Sequence, residues 1–435
     1  MTGLIFALFL ALLLACLVMG WPVAWAMAGG VVLFAVLGLH MGAAPRALWR
    51  MAWEKGRTAG IVLRILLLIG AITGLWRASG TIAYCVYYGI RLITPNLFLL
   101  LAFFLTAVMS YALGTSFGVA STAGIIFMAL ARSGGVDVSM AAGAILSGVY
   151  FGDRCSPASS SANLVAAVTG TSLYRNVPRM FLTALPATGL TVLVYLVLSL
   201  GNPIAGMDSA ISAALEEQFV LTWPALVPVV VILVLPLCRV PIAWALTASA
   251  AASAAVGLLS QHLSPGELLA IALFGYQPTQ EALSAVMAGG GVVSMLSTCL
   301  VVLCTGMYSG ILEGIGALGP LEGKLGKGVE RFGRLPVALG TALASISIFC
   351  NQSVAIILTE QLLRRFYSSR EELAQDIENT AITLAAVVPW SISCTVPLAT
   401  MGAGYGAVPY AVLLWLIPVC YLPTKRWFYP DNRKK

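Results

Sequence analysis

An acid and a base stand side by side at Asp153 and Arg154, inside the run Gly152-Asp153-Arg154-Cys155-Ser156-Pro157-Ala158-Ser159-Ser160-Ser161-Ala162-Asn163 of a 435-residue chain that is only 9% charged. Gly152 and Pro157 bracket Asp153 and Ser156 and predict an interrupted helix, because proline lacks a backbone donor and crowds the preceding turn. An interrupted helix offers free carbonyls from one half and amide donors from the other. With the hydroxyls of Ser156, Ser159, Ser160 and Ser161 and the amide of Asn163, those carbonyls are hard oxygen ligands suited to Na⁺. Asp153 is the first candidate for proton coupling, since a carboxylate can hold either a proton or a cation at the same oxygens. Arg154 opposes protonation unless its side chain points away or meets a substrate carboxylate. The alternative is a membrane-surface loop with Arg154 snorkelling outward.

Three other polar groups interrupt apolar surroundings. Gly114-Thr115-Ser116-Phe117-Gly118 is followed by Ser121 and Thr122, and Asn351-Gln352-Ser353 by Glu360. Hydroxyls such as Thr115 and Ser116 are also ordinary at membrane helix contacts, whereas two adjacent amides in lipid need several partners. Glu378-Asn379-Thr380 leads to Val388-Pro389-Trp390-Ser391. Glu378 reads either as a second proton-coupling acid or as an interfacial charge at a helix start. Glu267, Glu281 and Glu313 lack polar neighbours and read as interfacial or structural.

The elements that must position these groups are helices in a bilayer. Sixty per cent hydrophobic residues, a mean hydropathy of +0.94 and repeated apolar stretches of about 17–22 residues describe an all-α polytopic inner-membrane protein with about twelve hydrophobic segments. Its expected organisation is an N-terminal two-helix segment (1–58), a first repeat (59–200), connecting helices (201–289), a second repeat (290–422) and a basic tail (423–435). Basic residues gather at Arg46, Arg50, Lys55 and Arg57, at Lys324, Lys327, Arg331 and Arg334, and at Lys425, Arg426, Arg433, Lys434 and Lys435. Connection 201–220 has no Lys or Arg and carries Asp208, Glu216 and Glu217. Both termini are therefore expected in the cytoplasm, and the net charge of +7 is explained without a nucleic-acid partner. The apolar N-terminus has no basic residue before it and reads as a retained span.

The composition also excludes chemistry. Nine cysteines form no CxxC pair, the two histidines His40 and His262 lie outside polar clusters, and no nucleophile-elbow or metal pattern occurs. Neither an enzyme nor a resident metal or cofactor is expected; the lipid bilayer and a small cation or polar solute are the partners.

At an offset of 236 residues Thr73-Gly74 pairs with Ser309-Gly310, Gly80 with Gly316, Thr115-Ser116 with Asn351-Gln352, and Asp153 with Pro389. Each is small, polar or helix-breaking inside an apolar run, as expected of a transporter built from two related halves. Segment 335–363 lies between Arg331/Arg334 and Arg364/Arg365, so both its ends belong on one membrane face. A re-entrant hairpin or broken helix with its tip near Cys350-Asn351-Gln352-Ser353 meets that constraint. Leu92 to Ala131 is the equivalent in the first half, breaking at Gly114–Gly118.

Tyr150-Phe151-Gly152-Asp153-Arg154-Cys155-Ser156-Pro157, followed by Asn163-Leu164 and Thr169-Gly170-Thr171, resembles the NhaC family of Na⁺/H⁺ antiporters. Gly114-Thr115-Ser116-Phe117-Gly118 is similar to that family's Gly-Thr-Ser-Trp-Gly, and Pro389-Trp390 also matches. The resemblance covers residues 60–200 and 290–420. It implies an antiporter of the ion-transporter superfamily, with inverted-topology repeats, hairpins entering from both faces, Na⁺ and H⁺ as transported or coupling ions, and a homodimer. The chain departs from the family where Ser160 replaces an acid, Asn351-Gln352-Ser353 replaces Asp-Gln-Tyr, and Glu378-Asn379-Thr380-Ala381 replaces Glu-Asp-Ser-Gly. Loss of negative charge weakens a cation site, although neutral oxygens still coordinate. Two functions follow: cation/proton exchange through Thr115, Ser116, Asp153, Ser156, Ser159, Ser160, Asn163, Asn351, Gln352, Ser353 and Ser391, or coupled transport of an amino acid or small organic acid. In the second, Arg154 holds a substrate carboxylate and Asn351 and Gln352 take its polar groups.

Overall fold

The computed structural model describes residues 2–92, 94–204, 209–238, 240–316 and 322–429; Asp208 and the tail residues Asp431, Arg433, Lys434 and Lys435 lie outside them. The described residues fold into helices, and the single β feature among them is an isolated bridge between Tyr276 and Gly289. Among the described residues, five helices are long and apolar enough to cross a membrane by themselves, for example Leu173–Gly201 and Val292–Gly314, and up to seven if each of two bent pairs counts as one span. Shorter apolar helices include Phe98–Leu113, Arg334–Phe349 and Ile392–Met401.

Two helical hairpins organise the interior. Helix Phe98–Leu113 ends at Gly114 with φ +66°, and Thr115 is the extended N-cap of the returning helix. The Phe98 and Phe127 rings, one on each arm, lie 6.3 Å apart. Helix Arg334–Phe349 ends at Cys350 with φ +52°, followed by the extended N-cap Asn351. Its arms close so fully that the Arg334 guanidinium lies 5.6 Å from the Tyr367 ring centre. Gly114 and Cys350 are separated by the same 236 residues as the sequence pairs above, as are Gly80 and Gly316, both also left-handed.

Each hairpin tip meets a broken helix. Helix Val138–Cys155 stops at Ser156 and resumes at Ser160; the Glu378–Ala385 stretch stops and resumes at Ile392. A Cβ on Gly114 would fall 2.5 Å from the Ala158 carbonyl carbon, and the Ile392 amide donates to the Cys350 carbonyl at 2.8 Å. Gly114→Ala is therefore expected to destabilise the protein by about 2 kcal/mol or more, from left-handed strain and from the clash with Ala158. A thermal midpoint within error of wild type would contradict this.

The first break differs from the sequence expectation. The helix runs through Gly152, Asp153 and Arg154 to Cys155, and only Ser156–Ser159 is non-helical. Gly152 serves close packing, since a Cβ there would lie 2.3 Å from the Tyr111 nitrogen on the first hairpin. Likewise Ser116–Gly118 is already helical, so the first hairpin breaks at Gly114-Thr115 alone.

Candidate functional site

Four helices begin at one place. Their first residues Ser116, Ser160, Gln352 and Ile392 all line a single cavity of about 850 Å³. Each start is capped by the side chain before it. Thr115 accepts from the Gly118 amide, Ser159 from Ser161 and Ala162, Asn351 from Ser353 and Val354, and Ser391 from Cys394. Helix N-termini carry positive partial charge, so they favour an ionised carboxylate or an anionic ligand group at this point.

Asp153 is the carboxylate on this wall. Ser159 Oγ donates to its Oδ1 at 2.9 Å and Ser161 Oγ to its Oδ2 at 3.1 Å. Gln352 Nε2 donates to Ser161 Oγ at 3.1 Å, while Gln352 Oε1 accepts from Ser393 Oγ at 3.0 Å. Tyr150 OH in turn donates to the Ser393 carbonyl at 2.6 Å. One amide from the second hairpin thus bonds to both broken helices.

Of the candidate ligands and acids singled out in the sequence, Thr115, Ser116, Asp153, Ser160, Ser161, Asn351, Gln352 and Ser353 line the cavity, whereas Arg154, Ser156, Ser159, Asn163, Glu378 and Ser391 do not. Of those off the wall, Ser156, Ser159, Asn163 and Ser391 hold the backbone breaks. Asn163 Nδ2 donates to the Pro157 and Ser159 carbonyls at 3.2 and 2.7 Å, Ser156 Oγ accepts from the Ala158 amide at 3.1 Å, and Ser391 Oγ donates to the Ala385 carbonyl. Freed backbone groups in a bilayer need such partners.

Arg154 neither snorkels nor faces the cavity: it is fully buried. Its Nε donates to the Glu378 carbonyl (3.2 Å), one terminal nitrogen to the Met180 carbonyl (2.9 Å), and the other to Thr183 Oγ1 (3.0 Å) and Asn379 Oδ1 (2.8 Å). Burial without these acceptors would be prohibitive. The Glu378 carboxylate is fully buried beside this web, and neither of its oxygens has a hydrogen-bond partner among the described residues.

Lys55, Thr305, Ser309 and Glu313 also line the cavity, where the sequence alone presents Lys55 as a loop charge and Glu313 as interfacial or structural. A usable signal was present in Gly306, Gly310 and Gly314, spaced by four on helix Leu296–Gly314: a Cβ on Gly310 would lie 2.4 Å from the Met51 carbonyl oxygen. Such a stripe announces a closely packed partner helix, which is Pro45–Thr58 carrying Lys55.

Accessibility distinguishes wall from support. Cys155 is buried and bonded to Arg154, while Ser353 is exposed in the cavity wall. In a background lacking the exposed Cys238, Ser353→Cys is expected to react with a membrane-impermeant maleimide and native Cys155 to stay unlabelled. Equal labelling of both would refute the placement.

Residues 148–424 match the sequence model of the Na⁺/H⁺ antiporter family. Over 371 residues the chain is 28% identical to an uncharacterized Na⁺/H⁺ antiporter of Haemophilus influenzae, covering 81% of this chain and 79% of that protein. It is 27% identical to the malate-2H⁺/Na⁺-lactate antiporter of Bacillus subtilis, covering 85% and 83%. It is 24% identical to the Na⁺/H⁺ antiporter NhaC of Alkalihalophilus pseudofirmus, covering 81% and 79%.

Proposed function

The chain belongs to the Na⁺/H⁺ antiporter family, a multi-pass membrane transporter and not an enzyme, and on that premise we propose that it exchanges Na⁺ for protons at Asp153. The observation that carries this reading is a carboxylate on the cavity wall, held by Ser159 and Ser161, at the meeting point of both hairpins and both broken helices. A proton and a cation cannot both occupy its oxygens, and that competition is the basis of obligatory exchange. Thr115, Ser116, Ser160, Asn351, Gln352 and Ser353 supply neutral oxygens around it. Glu378, buried and without a hydrogen-bond partner among the described residues, is the second proton-coupling acid of this reading. The test is ΔpH dissipation by the purified protein in proteoliposomes: addition of Na⁺ should collapse an imposed gradient, and silence with Na⁺, Li⁺ and K⁺ alike would overturn it.

A second reading is favoured by size. A cavity of about 850 Å³ falls within the range of small-molecule sites and far exceeds a bare cation. Four helix N-termini suit a carboxylate, and one relative carries malate and lactate in its name. Exchange of a small organic acid, coupled to Na⁺ or H⁺, accounts for these features. Thermal stabilisation of the purified protein by malate or lactate would support it; none at millimolar concentration would count against it.

The reading extends to architecture. Residues 59–200 and 290–422 would be two inverted repeats within about twelve hydrophobic segments, each with a re-entrant hairpin. The left-handed pairs Gly80/Gly316 and Gly114/Cys350 support this. The basic clusters around Lys55, Arg331 and Lys425 support an inner-membrane orientation with both termini in the cytoplasm.

A further inference from the structure

On the same cavity as the four helix starts, helices Pro45–Thr58 and Leu296–Gly314 bring Lys55 and Glu313 together at 2.7 Å. Among the described residues lining the cavity, Lys55 is the one cation, and Asp153 and Glu313 are the anions. The pair sits in the wall with its side chains 48% and 31% exposed. It therefore differs in kind from the sealed web around Arg154: half-exposed ion pairs hold together weakly and exchange partners readily. Glu313 also has a second partner at its other oxygen: Ser309 Oγ donates to Oε1 at 3.4 Å while Oε2 pairs with Lys55.

We propose that Lys55 is the receptor for a solute carboxylate in this cavity, and that Glu313 occupies it as an exchangeable stand-in until solute arrives. The proposal rests on the organic-acid reading and names its specificity determinant. When a carboxylate enters, it replaces the Glu313 oxygen at the Lys55 ammonium, and Glu313 keeps its bond from Ser309. Such a swap keeps Lys55 paired with a carboxylate in both states, and the displaced Glu313, itself part-exposed, is left to Ser309 and solvent. The helix starts that line the same cavity suit the far end of the same solute. A neutral or cationic solute cannot displace Glu313 in this way and is rejected.

The test uses full-length protein in liposomes, with labelled malate and lactate as probes. Lys55→Gln is expected to raise the KM for the transported acid by about tenfold while changing kcat much less, and Lys55→Arg to stay within about twofold of wild type. Glu313→Gln is expected to lower KM, since it removes the competitor. A merely structural ion pair predicts the reverse, with Lys55→Gln and Glu313→Gln shifting KM in the same direction. That result, or no shift in either, overturns the proposal. If Lys55→Gln fails to fold, Glu313→Gln alone decides: a lowered KM supports the receptor role and a raised or unchanged one overturns it. If the wild type neither binds nor moves either acid, the organic-acid reading itself has failed, a distinct result.

Discussion

Asp153→Asn is expected to reduce proton-coupled exchange below about 1% of the wild-type rate, a loss of more than about 2.7 kcal/mol of coupling. The substitution is close to isosteric, and the two serines that bond to Asp153 can rotate their hydroxyls to serve an amide. The protein should therefore fold, and its thermal midpoint should change little. What disappears is the oxygen pair that a proton and a cation contest. Asp153→Glu keeps that chemistry with a longer reach and is expected to shift the pH profile of exchange while retaining part of the rate. Both variants would be measured in proteoliposomes by ΔpH dissipation. Coupled exchange that survives in the Asn variant would transfer the proton role to Glu378.

The second large effect is on stability. Arg154→Leu is expected to cost about 3–5 kcal/mol, the range for breaking a buried charged network. The loss would leave Asn379 Oδ1, Thr183 Oγ1 and the Met180 carbonyl without their guanidinium donors. It would also remove the guanidinium from beside the Glu378 carboxyl group, whose oxygens have no hydrogen-bond partner among the described residues. Arg154→Lys should rescue little, because a point ammonium cannot reach acceptors arranged around a planar fork. Adding Glu378→Gln to Arg154→Leu should recover part of the loss by removing the orphaned charge. Thermal unfolding and monodispersity in detergent provide the measure, and a near wild-type midpoint for Arg154→Leu would refute the account.

These two neighbours show what a linear reading captures. The polar run was visible because it interrupts hydrocarbon, and the hairpin tips because Gly114 and the Asn351-Gln352 pair break apolar stretches in matching places. Side-chain direction was not visible. Asp153 and Arg154 are adjacent in sequence, yet one lines the cavity and the other points into the protein toward Met180 and Asn379, since successive helix positions are about 100° apart. Gly152 was read as a helix breaker because glycine is poor in helices, but tertiary packing against Ser110 and Tyr111 decides its role. Lys55 and Glu313 are separated by 258 residues and no local pattern joins them; only the Gly306/Gly310/Gly314 stripe hinted at the contact.

The hydrogen bonds through Gln352 have a sense of direction. An amide has a donor end and an acceptor end, and here every arrow runs one way: Ser393 to Gln352, Gln352 to Ser161, Ser161 to Asp153. That polarity is set by its terminus, an ionised carboxylate that only accepts. A proton placed on Asp153 Oδ2 makes the terminus a donor and opposes the arrow from Ser161. The chain is then expected to turn over, with the Gln352 amide rotated so that its oxygen faces Ser161 and its nitrogen faces Ser393. Protonation in one half of the molecule would thereby be written into the other half as the orientation of a single side chain, a change that isotope-edited infrared spectra of the glutamine carbonyl across pH would register or refuse.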